Sequence, residues 1–191
     1  MGQEADRLLV GPKMTAGNGW EPSLFISIEV HTDVDWVVRP ASQTEVEIVV
    51  QLWKSFMNDP SAIDMPLPTH EENEKKQTQF LQELIRQDSR QVLVGEKDGV
   101  LIGYVAYEIE QKAPLEMQQK RSFIHDLYVK PGHRGRGVGR SLLQACLDVV
   151  RNAGPHQVRI AVWVRNDRAI RLYRAMGFTD HLFIMRIETG I

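Results

Sequence analysis

Cysteine is nearly absent: Cys146 is the only one in 191 residues, which excludes an internal disulfide and a thiolate metal cluster. It falls in the amphipathic run Val138, Leu142, Leu143, Cys146, Leu147 and Val150, where a free thiol acts as a small buried apolar group. Long hydrophobic runs are missing too. No stretch of about 18 apolar residues occurs, and the opening MGQEADRLLV lacks the charged-then-apolar order of a secretion signal. The expectation is a cytoplasmic protein with no membrane partner. Aromatics make up only 7% of the chain, and none is interleaved at base-stacking intervals in its basic part, which speaks against nucleic acid as a partner.

What the chain has is 42% hydrophobic and 25% charged residues, enough for one domain with a full core. Its net charge of −2 hides an uneven distribution. Residues 1–120 hold 11 Lys/Arg against 20 Asp/Glu, and residues 121–174 hold 11 against 3. Such a split suggests two unlike partners, an anion for the second region and a cation drawn to the first.

Residues 1–35 read as an N-terminal extension whose one strand-like piece is LFISIEV at 24–30. The domain is expected over 36–191. A short strand at 37–38 precedes a helix over 43–58, and Thr69 with Glu72 forms a capping-box signal for a second helix carrying Phe80, Leu81, Leu84 and Ile85. Two strands follow around Lys97-Asp98-Gly99, a hairpin signal, and a third covers 121–129. A helix is expected from about 137 to 152, a strand at 158–164, a helix capped by Asn166 and closed at Gly177, and a last strand at 181–187. The order β-α-α-β-β-β-α-β-α-β predicts an α/β (α+β) fold with a mixed, mostly antiparallel sheet flanked by helices.

The segment RGRGVG at 134–139 stands where a strand turns into a helix. The first amides of that helix have no internal partner and its positive dipole end faces the turn. Gly135, Gly137 and Gly139 let an anion approach the backbone, and Arg134, Arg136 and Arg140 add charge suited to forked hydrogen bonds with phosphate oxygens. A Walker loop is excluded because Arg140 stands where lysine is required. A dinucleotide fingerprint fails as well: Arg140 replaces its third glycine, and the following strand ends in Arg165 rather than an acid.

What fits is R-x-x-G-x-G at Arg134, Gly137 and Gly139, followed about thirty residues later by NDRAIRLYRAMGF. The pair resembles the GNAT superfamily of N-acetyltransferases, over about 36–187 in element order and most sharply over 124–178. The resemblance implies acetyl-CoA as cosubstrate, no metal, a small-molecule amine as acceptor, and a homodimer as a family-level possibility. It implies that Gly135, Arg136, Gly137, Val138, Gly139 and Arg140 hold the CoA pyrophosphate. It also implies that Leu127, Tyr128 and Val129 offer backbone groups to the pantetheine arm, and that Asn166 contacts the cofactor.

Acetyl transfer to an amine needs a neutral amine, a stabilised oxyanion and a proton for the departing thiolate. Tyr173, seven residues after Asn166, occupies the place where the family commonly has its thiolate-protonating tyrosine; a core tyrosine is the alternative. The oxyanion donor would be a main-chain N–H of the splayed strand, that of Leu127. For the base, His125 and Asp126 are neighbours expected on opposite faces of one strand, with Glu108 a third candidate. The family often has glutamate where His125 stands. The acids in HEENE and DPSAID favour a small cationic amine such as a polyamine or aminoglycoside. A peptide N-terminus, a lysine, or a non-catalytic acyl-CoA sensor remain alternatives.

Overall fold

The structure, a computed structural model, describes residues 35–60, 71–88, 91–110, 120–154, 156–185 and 187. Five strands line up in the order β1-β2-β3-β4-β5. β1 (Val37–Pro40), β2 (Val92–Lys97), β3 (Val100–Glu110) and β4 (Lys120–Val129) are antiparallel neighbours, and β5 (His156–Ile160) runs parallel to β4. The β2–β3 turn uses positive φ at Asp98 (50°) and Gly99 (75°), the conformation that an Asp-Gly hairpin signal demands.

Helices α1 (Val46–Met57) and α2 (Glu71–Gln87) cover one face of the sheet. Val49, Leu81, Leu84, Tyr104 and Ala106 form the core there. The other face carries α3 (Val138–Asn152) and α4 (Asp167–Ala175), packed through Val105, Tyr107, Ile124, Leu142, Leu143 and Tyr173. Cys146 is fully buried in this second core, as its helical position required. Before α1, a 3-10 turn (Gln43–Glu45) closes a capping box with Ser42. Arg39 donates to Glu45 and Glu96 and holds the Glu45 carboxyl down at about 2, tying β1 to β2 and to the helix start.

Two expectations need correction. β5 ends at Ile160, not Val164, and Val162, Trp163 and Val164 are exposed beyond it. The run at 181–185 is not a strand, and Leu182, Phe183, Ile184 and Met185 face solvent. Both runs have strand-forming side chains, but a strand also needs an edge to bond to, and β4–β5 pairing stops at Ile124 opposite Ile160. The Thr69 capping signal and the 24–30 segment lie outside the described residues.

Candidate active site

The site originates in a register fault. Ala106 pairs with Asp126 and Tyr107 with Ile124, so His125 has no opposite residue and forms a bulge in β4. A bulge adds one residue and bends its strand. The β4–β5 pairing ends beside it, at Ile124 and Ile160. From there the two strands separate, and a cleft of about 520 Å³ opens between Leu127, Tyr128 and Val129 on one wall and Ile160 to Trp163 with α4 on the other.

The bulge also overturns the expectation that His125 and Asp126 face opposite ways. Both meet α2: the His125 ring stands edge-on to Phe80 with centroids 4.9 Å apart, and Asp126 Oδ2 accepts from Gln77 Nε2 at 3.3 Å. His125 lines the cleft. Its Nε2 lies 2.8 Å from Glu108 Oε2. Asp126 sits behind it, 8% exposed. Burial lifts the Asp126 carboxyl to about 6, against the opposing effects of the neighbouring Tyr104, His125 and Gln77.

At one end of the cleft, Gly135 and Gly137 adopt φ of 78° and 102°, a left-handed geometry that side chains resist. Gly137 is the N-cap of α3, so the unpaired amides of that helix's first turn face the cleft end. Arg136 and Arg140 are exposed beside it. Arg134 is engaged internally. Its Nε donates to the Val129 carbonyl at 2.7 Å, its guanidinium pairs with Asp59, and it lies over the Tyr128 ring. An anion at this turn would therefore meet its backbone rather than its charge.

Across the cleft, Asn166 caps α4 by accepting from the Ala169 amide at 3.1 Å. Tyr173, two turns further along the same helix face, lines the cleft yet is 8% exposed, and burial raises its phenol above the ordinary range. It stays protonated through neutral pH. The cleft thus gathers His125, Tyr173, Leu127, Tyr128, Val129, Asn166 and the 134–140 turn, while Asp126, Arg136 and Val138 do not line it. Val138 is 1% exposed and belongs to the core.

The lining residues missed from sequence include Phe56 on α1 and Arg168. Arg168 lies within the NDRA quartet that Asn166 opens, and its Nη2 approaches the side-chain direction of Gly135. That quartet was the available signal. The acids at 71–74 are offset by ion pairs of Glu71 with Lys75, Glu72 with Lys76 and Glu74 with Lys54. No cluster of three potential metal ligands occurs among the described residues, and no helix among them is long and apolar enough to cross a membrane.

A splayed pair of parallel strands with a glycine-lined helix start at one end is the architecture of an acyl-group transferase fold, and the family model for the acetyltransferase (GNAT) family matches residues 51–178. The chain belongs to that family. Its relatives include an L-methionine sulfoximine/L-methionine sulfone acetyltransferase of Salmonella typhimurium, 35% identical over 46% of this chain and 50% of the relative. A streptothricin acetyltransferase of Streptomyces lavendulae is 36% identical over 48% of this chain and 45% of its own. The chain spans about half the length of the curated relatives it matches.

Among solved structures, the aminoglycoside N-acetyltransferase AAC(6')-Iy in complex with CoA has a TM-score of 0.63 at 19% identity, covering 82% of this chain and 95% of that one. A ribosomal-protein-alanine N-acetyltransferase from Brucella melitensis has a TM-score of 0.58 at 23% identity over 74% and 83%. At these identities the likeness is one of fold.

Proposed function

We propose that this protein transfers the acetyl group of acetyl-CoA to a primary amine by direct attack within a ternary complex, with a small cationic amine as acceptor. The observation that carries this reading is that one cleft joins an anion-accepting turn at 135–140 to a buried phenol and an imidazole. The turn suits a pyrophosphate: two glycines with positive φ, a helix N-terminus, and Arg136, Arg140 and Arg168 around it. The wall formed by Leu127, Tyr128 and Val129 has lost its β5 partner, which suits the amide groups of a pantetheine arm.

Bound acetyl-CoA supplies the thioester carbonyl and the leaving thiolate. His125, on the cleft wall, receives the proton that the acceptor ammonium must lose, through a water molecule. The peptide N–H of Leu127 donates to the carbonyl oxygen as negative charge builds there. Tyr173, held protonated by burial, donates its proton to the departing sulfur and regains one from the second N–H proton that the acylated nitrogen releases. Asn166 fixes the start of α4 and so the reach of Tyr173. The cationic acceptor is supported by relatives named for streptothricin and thialysine, not by the acids at 71–74, which are paired within the protein.

Thiol release from acetyl-CoA, followed across a panel of amines, tests the reading. Tyr173→Phe is expected to lower kcat by about a hundredfold, the scale of one general acid, while leaving CoA affinity nearly unchanged. A fully active variant would remove the acid assignment. Tight CoA binding with no turnover on any amine would point instead to an acyl-CoA sensor.

A further inference from the structure

We propose that Glu108 is a positioning residue: it holds His125 in the tautomer and orientation from which Nδ1 receives the acceptor's proton. The proposal rests on the transferase reading and names the group that makes its base effective. His125 is the bulged residue of β4, with no partner opposite it on β3. Its ring is nevertheless fixed on three sides. Phe80 from α2 and Phe123 from β4 meet it edge-on, with centroids at 4.9 and 5.1 Å, and Glu108 Oε2 stands 2.8 Å from Nε2.

A carboxylate can only accept, so the proton of the neutral imidazole resides on Nε2 and the lone pair on Nδ1. Nδ1 is then the basic atom that remains. A proton leaving the ammonium passes through one water to Nδ1, no other bond changing at this step, and Glu108 stabilises the imidazolium that results. Glu108 does not line the cleft, so it acts through His125 rather than on the substrate.

Other described elements bring their own groups near the pair. β4 contributes Asp126, which accepts from Gln77. α2 presents Phe80 and Gln77 toward the pair, and α4 presents Tyr173 across the cleft. Among the described residues, Glu108 is thus the carboxylate hydrogen-bonded to the imidazole.

The test compares the full-length protein with Glu108→Gln, Glu108→Ala and His125→Gln, using acetyl-CoA and the best amine of the panel. Glu108→Gln is expected to reduce kcat ten- to a hundredfold while the KM for acetyl-CoA stays within about twofold. The acid limb of kcat/KM for the amine should move to lower pH, because losing the carboxylate disfavours the imidazolium. His125→Gln should abolish that limb. Nitrogen-15 histidine NMR, assigned by the His125→Gln spectrum, should report Nε2–H in the wild type and loss of that preference in Glu108→Ala, which has no side-chain acceptor. A Glu108→Gln protein with wild-type kcat and acid limb, or a Glu108→Ala protein with an unaltered tautomer, overturns the proposal. If no amine is turned over but the tautomer shifts as expected, the pairing stands and the transferase reading falls.

Discussion

Asp126→Asn should make the protein more stable at neutral pH and leave it unchanged in acid. Asp126 is buried against α2, and burial moves its carboxyl from 3.8 to about 6. At about 1.4 kcal/mol per pKa unit, that displacement corresponds to about 3 kcal/mol against the ionised form. The folded value lies above the unfolded one, so between pH 4 and 6 the folded state binds more protons. Stability is fully present below about pH 4 and is lost as pH rises through about 6.

Asparagine keeps the shape and a hydrogen-bonding oxygen but has no charge to bury. The difference between the two proteins should therefore be near zero at pH 4 and grow to about 3 kcal/mol in favour of the variant by pH 7. Urea denaturation at pH 4, 5, 6 and 7 measures it. With an m-value of about 2 kcal/mol/M, the midpoint at pH 7 rises by about 1.5 M. A difference that stays constant over this range, or a wild type that is the more stable at pH 7, would refute the reasoning.

Arg134→Met removes the guanidinium that pairs with the nearly buried Asp59 and should cost about 3 kcal/mol in chemical denaturation; adding Asp59→Asn should restore most of it. Gly137→Ala places a side chain at φ of 102°, which should cost about 1–2 kcal/mol. It should also weaken CoA binding in a titration, because the first turn of α3 must shift.

Much of this site was legible along the chain because its parts are local. The Gly135 to Arg140 turn, the Asn166 cap and Tyr173 each declare themselves within a few residues, since a helix start needs particular caps and a close backbone approach needs glycine. Arg168 was missed although it lies beside Asn166, because a single arginine carries no signal until Gly135 is seen opposite it. Arg134 was read as a phosphate ligand from its neighbours, yet Asp59, seventy-five positions away, claims its guanidinium.

By itself the sequence determined the succession of elements from β1 through α4 and the strand-to-helix turn, because hydrophobic period, caps and turn residues act over short separations. Tertiary structure alone decided that β4 carries a bulge at His125, that β5 stops at Ile160, and that Glu108 meets an imidazole seventeen residues later. Register between strands depends on how two distant segments settle against shared helices, and no local pattern encodes a one-residue slip. That slip turns His125 and Asp126 to the same side and opens the cleft in which the proposed chemistry takes place.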